Sequence, residues 1–185
     1  MKKLRILFVA ACASLMAALD RITAPPGAIA LANELGGIYD HGRETVQVDP
    51  AATLPVGTKY LIYIRGSAYN YAKIADGGAT LASCPLGFSA DAPFQIGDYF
   101  EVDRFGAIKG TALGQSLGAI TIDHLVYSAA GGLVGDLNTA GNGTYWVIGR
   151  AIKTVAGANQ DISFIPQFPQ LMTVTGGAFA LATPL

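Results

Sequence analysis

Charge is scarce in this chain. Only 14% of its 185 residues are Asp, Glu, Lys or Arg, and the net charge is −1, where about a quarter is usual. Polyelectrolyte disorder is excluded, since it needs high charge and little apolar content. A basic face of the kind that phosphate backbones demand is missing as well. Lys2, Lys3 and Arg5 at the N-terminus are the one cationic cluster, so no nucleic-acid partner is expected for the body. Histidine and cysteine are rare, at two residues each. Cys12 and Cys84 fit no zinc spacing. Two free, buried thiols is the expected state, with a disulfide between them as the alternative. His41 and His124 lie far apart in the sequence, and nothing marks them as metal ligands. No phosphate-binding glycine loop or calcium loop is present, so no cofactor is expected.

What the chain does have is 51% hydrophobic residues and 23 glycines. Glycine is costly inside helices, and short strands joined by glycine turns use such a composition well. A chain of this length buries a core without disulfides or metals.

The N-terminal region stands apart. Met1 to Arg5 is cationic, and Ile6 to Leu19 is apolar. This is the layout of a secretory signal, and Val9-Ala10-Ala11-Cys12 is similar to a bacterial lipoprotein box. The run is too short for a comfortable membrane span, which needs about 20 apolar residues, so no membrane partner is expected. If the segment is retained, its apolar side chains must be buried against something. Ile6, Leu7, Phe8, Val9, Leu15 and Met16 are then interface candidates. Pro25-Pro26-Gly27 breaks any helix, and the stretch to residue 43 reads as an extended, partly helical arm.

Strand signals recur from Glu44. Thr45 to Val48 alternates, Lys59 to Arg65 is aromatic and β-branched, and the Gly66-Ser67-Ala68 link joins it to Tyr69–Ala75 as a hairpin. Further strands are expected at Pro85–Phe88, Tyr99–Phe105, Ile120–Tyr127, Trp146–Thr154 and Asp161–Pro166. Leu171–Val174 is a candidate last strand in a glycine-rich tail. The pattern is all-β, a small antiparallel barrel or sandwich, with an arm over 1–43, a β-rich domain over 44–168 and a tail over 169–185.

Chemistry is thinly marked. Gly114-Gln115-Ser116-Leu117-Gly118 matches a nucleophile elbow, but that motif works only between a strand and a helix with an acid and a histidine downstream. Asp123 and His124 follow closely, and adjacent residues on a strand point to opposite faces. A glycine-rich loop is the expected reading. Glu101 and Asp103 share a strand face, which an ordinary solvated face explains. Asn142-Gly143-Thr144 is a glycosylation sequon, relevant only in a eukaryotic secretory setting. Trp146 is an expected interface anchor rather than a sugar platform. An enzyme is therefore not expected.

A resemblance rests on the order of short motifs. These are Pro85-Leu86-Gly87-Phe88, Gly97-Asp98-Tyr99-Phe100-Glu101-Val102, and Phe105-Gly106-Ala107-Ile108-Lys109-Gly110. Val126-Tyr127 with Gly131-Gly132-Leu133, then Ile148-Gly149-Arg150-Ala151, and finally Ile162-Ser163-Phe164-Ile165-Pro166 complete the series. In this order, over residues 44–168, the chain resembles tailed-phage capsid decoration (cement) proteins. The resemblance implies a compact β-barrel-like fold, attachment to the outer surface of an assembled virion capsid with the major capsid protein as partner, and self-association, often as a trimer. The competing expectation is an exported bacterial β-domain, adhesin-like, cleaved near residues 11–19.

Overall fold

The computed structural model describes residues 42–52, 59–90, 96–105 and 110–182. The arm candidates Ile6, Leu7, Phe8, Val9, Leu15 and Met16, together with Cys12 and His41, lie outside the described residues. So do 53–58, 91–95, 106–109 and 183–185.

The described residues are nearly all β, with 56% of them in strands. Its first half is a closed barrel of strands β1 (Arg43–Val48), β2 (Leu61–Arg65), β3 (Tyr71–Ile74), β4 (Pro85–Ser89) and β5 (Tyr99–Arg104), in the order β1-β3-β2-β4-β5. The expected hairpin forms between β2 and β3, with Tyr63 opposite Ile74. β1 closes the ring by pairing antiparallel to β5 and parallel to β3. Closure leaves no edge unpaired.

The hairpin link is held by Asp49. Its carboxylate accepts the backbone N–H of Ala51 at 2.9 Å and that of Ser67. These two backbone donors, Ala51 first, hold the carboxyl below its ordinary value. A Cβ on Gly66 would collide with the Asp49 carboxylate, so glycine is required for that approach.

The second half is a six-stranded sheet. It comprises β6 (Ala112–Gln115), β7 (Leu125–Ser128), β8 (Val134–Asp136), β9 (Gly143–Ala151), β10 (Asp161–Thr175) and β11 (Ala178–Leu181). The path runs β11-β10-β9-β7-β8, and β6 also pairs with β10. β6 and β11 lie along the same side of β10, at its two ends, while β9 covers the other side.

Strand β2 shows how the halves join. All but its last residue are buried, against the single buried face of an ordinary barrel strand. Leu61 and Tyr63 point into the barrel, where Tyr63 meets Phe100 at 4.8 Å between ring centroids. Ile62 and Ile64 point out and pack with Ile148, Ile162 and Phe164 of the sheet. Phe88 on β4 joins this outer group while Leu86 faces inward. The barrel wall is thus shared by two cores, and Phe105 bridges toward Phe164 at 6.2 Å.

Three strand expectations are revised. Ile120–Tyr127 is not one strand: the chain turns over residues 121–124, with Asp123 at φ +66°, and β7 begins at Leu125. The Asp136 side chain takes the Thr121 N–H and stabilises that turn. In Trp146–Thr154 the strict alternation fails, because a bulge lies between the residues that pair with Val126 and Tyr127. Trp146 and Ile148 both end up buried, and Arg150 faces out. Finally, Asp161–Pro166 and Leu171–Val174 belong to one 15-residue strand, β10, so the expected boundary at 169 falls inside it.

Candidate interaction surface

The two faces of the large sheet differ. The inner face packs on the barrel. The outer face carries its own smaller apolar cluster, with Val147, Val174 and Leu137 buried at its centre. Leu125, Tyr127, Tyr145 and Met172 surround them and are only partly covered. Tyr127 and Tyr145 meet at 4.6 Å in a tilted pair. The Tyr127 ring lies over Gly135, where any Cβ would collide with it. Burial raises the Tyr127 hydroxyl above its ordinary value, with the Tyr145 ring hydroxyl adding to it.

This face continues onto the β10–β11 ribbon. Val174 pairs with Phe179, and Met172 with Leu181. Directly opposed residues share a face, so Phe179 and Leu181 extend the outer cluster. They are 38% and 75% exposed, and Ile165 and Phe168 on β10 are 54% and 71% exposed. Every residue of β11 is exposed. No charged residue occurs from Ile162 to Leu185. Scattered apolar surface is ordinary, and it is contiguous exposed apolar area that interaction sites share.

The turn that makes the ribbon is Gly176-Gly177, at φ +57° and +83°. Positive φ at both central residues is the turn whose twist suits a two-residue hairpin. The Asn142 side chain accepts the Gly176 N–H at 2.9 Å and ties the turn to the start of β9. Of the sequon residues, Thr144 is also engaged, its hydroxyl 3.1 Å from that of Thr173.

The other residues singled out by sequence fall elsewhere. Trp146 is 5% exposed, and its Nε1 donates to the Thr80 carbonyl at 3.2 Å, so the indole ties the sheet to the segment ahead of β4 inside one chain. Ser116 is fully buried. Its hydroxyl donates to the Gly157 carbonyl at 2.7 Å and accepts the Gln160 N–H at 3.0 Å. It follows β6 and bridges to Val134, and no helix follows, so the strand–turn–helix context of an elbow is not formed. His124 is held by Asp136 instead, Nδ1 to Oδ2 at 2.8 Å. Asp136 also caps a 3-10 turn through the Asn138 N–H. Glu101 and Asp103 both reach Arg43, at 3.2 and 2.9 Å. Cys84 is a free, half-buried thiol, and burial raises its pKa, which disfavours the reactive thiolate. Among the described residues, no group of three or more His, Cys, Asp or Glu side chains is placed to hold a metal ion.

The sequence signalled the ribbon only partly. The charge-free C-terminal run was visible, but its strand pairing was hidden by Pro166 and Pro169, which ordinarily end or demote a strand. The structure accommodates both at a register shift between Pro166 and Gln170.

No protein-family model matches the sequence, and no curated protein matches it. Among solved structures, one similar chain is the head fiber gp8.5 N base in bacteriophage phi29. It is 13% identical with a TM-score of 0.47, over 69% of this chain and 96% of that one. A likeness this loose carries no functional argument.

Proposed function

We propose that the chain is a non-enzymatic virion structural protein that attaches to the outer surface of an assembled phage capsid and stabilises it. The supporting observation is the β10–β11 ribbon, charge-free from Ile162 onward, whose exposed Phe179 and Leu181 extend the outer apolar cluster and offer apolar area to neighbouring subunits. The ordered motifs that resemble decoration proteins point to the capsid as the place where that area is used. A protein that binds only the folded assembly stabilises it by mass action, without chemistry. In this reading the major capsid protein is the partner, copies of the chain also associate with one another, and no cofactor, nucleic acid or membrane takes part.

Co-sedimentation with assembled shells from the same source tests the proposal. Binding to shells but not to unassembled capsid subunits, with a higher temperature of shell disruption, supports it. No binding at saturating concentration overturns it. The intact mass of the protein from its native source separates the competing reading. Loss of the segment ahead of residues 11–19 marks an exported protein, for which the layout of Met1 to Leu19 speaks.

A further inference from the structure

The two edges of the large sheet are treated differently. At β8 the open side is covered, because Ser116 bridges in parallel to Val134 and the Leu117 N–H donates to the Val134 carbonyl at 2.8 Å. Along β10, the stretch between β6 and β11 contains Pro166 and Pro169, which have no N–H to offer. Prolines and covering segments are ordinary protection against unwanted strand pairing. β11 has neither. Among the described residues it pairs with β10 alone, and it carries no proline, charge or bulge.

Its hydrogen-bonding parity is fixed. The Ala182 N–H donates to the Leu171 carbonyl at 2.8 Å, so Ala182, Ala180 and Ala178 direct their backbone groups toward β10. Alternation then aims the N–H and C=O of Phe179 and Leu181 at the open edge.

We propose that this edge pairs antiparallel with β11 of a second copy of the chain, about a two-fold axis at Ala180. In that register Phe179 faces Leu181 of the other copy, and every outward donor and acceptor of both residues is satisfied. The Phe179 and Leu181 side chains of the two copies meet on the outer face, extending the Val174 and Met172 cluster across both molecules. Ala180 lies opposite its own counterpart, where Cα atoms approach to about 4.5 Å. A second copy is the fitting occupant because the strand is self-complementary in this register. The run from Ile162 onward also has no charge with which to select a charged partner. The pairing does not depend on capsid binding. It gives an even-numbered assembly, in place of the trimer that the decoration resemblance implies.

The test uses the full chain. Its mass is followed by sedimentation equilibrium over a range of concentrations, and amide exchange is read residue by residue. A monomer–dimer equilibrium is expected, with the Phe179 and Leu181 amides gaining protection as concentration rises. Ala178 and Ala180 amides are protected at every concentration. Ala180→Lys and Ala180→Glu each place like charges at the axis, on an exposed position, and reduce association at least tenfold. An equimolar mixture of the two variants restores it, which also shows that both are folded. A monomer at all concentrations, a trimer, association indifferent to both charges, or Phe179 and Leu181 amides that do not respond to concentration each overturns the proposal.

Discussion

The barrel and the sheet solve the same problem in opposite ways. The barrel closes on itself, packs Ile62, Ile64 and Phe88 of its outside on the sheet, and carries ion pairs along β1 and β5. Arg43 reaches Glu101 and Asp103, while Arg65 and Arg104 both reach Glu44. The sheet stays open, and from Ile162 onward it carries no charge at all. One half is finished as a monomer. The other leaves apolar side chains and the outward backbone groups of β11 uncovered among the described residues. The contrast teaches where to look for function when the described residues hold no cluster for a metal: the unfinished half is where the proposed assembly is sought.

The sharpest way to break this contrast uses two phenylalanines on one strand. Phe164 is fully buried between barrel and sheet, and Phe168 is 71% exposed. Phe164→Ala removes a ring from the shared core and is expected to cost about 3–5 kcal/mol, read as a lowered denaturant midpoint. Phe168→Ala is expected to change stability by no more than about 0.5 kcal/mol. If both cost several kcal/mol, the ribbon is part of the monomer's own core and the division between the halves fails.

A smaller effect, with a pH signature, is expected in the barrel. Asp49 satisfies two backbone donors, and its folded pKa lies below the ordinary 3.8. Its contribution is therefore complete above that ordinary value and lost as pH falls through the lowered folded value. Asp49→Ala leaves those donors without their acceptor and is expected to cost about 1–3 kcal/mol at neutral pH. The difference from the parent chain should shrink below pH 3.8. A difference that stays constant through the acid range would mean that the carboxylate's charge is not what holds the turn.

Much of the barrel was legible in the sequence, because each of its strands carries the local signal that decides it. Lys59 to Arg65 is aromatic and β-branched, Tyr99 to Phe105 alternates, and Gly66-Ser67-Ala68 is a turn. The errors sit where a long-range contact overrides the local pattern. Ile120-Thr121-Ile122 looks like strand, yet the Asp136 side chain captures the Thr121 N–H and turns the chain there. Trp146 has the composition of an interface anchor, but its partner is Thr80, far away in the sequence. Only half of the ribbon was seen: Leu171–Val174 was expected as a strand, but proline is a local stop signal, and only a register shift against β9 lets one strand run from Asp161 past Pro166 and Pro169. Pairings such as His124 with Asp136 leave no local trace at all.

The smallest expected effect tests what the barrel's charges are for. Arg43 joins two carboxylates, but its side chain is 58% exposed, and that of Glu101 is 55% exposed. Pairs in such a setting are screened by water and salt and contribute between about 0 and 1 kcal/mol. Arg43→Ala should therefore shift the thermal midpoint only slightly, and less so as salt is raised. Because Arg43 lies on β1 and not on the ribbon, the variant is expected to keep the self-association that Ala180→Lys and Ala180→Glu weaken. A loss above about 2 kcal/mol, beyond the range of exposed pairs, would instead make the Arg43 cluster part of what closes the ring between β1 and β5. The barrel's independence would then rest on its surface as much as on its core.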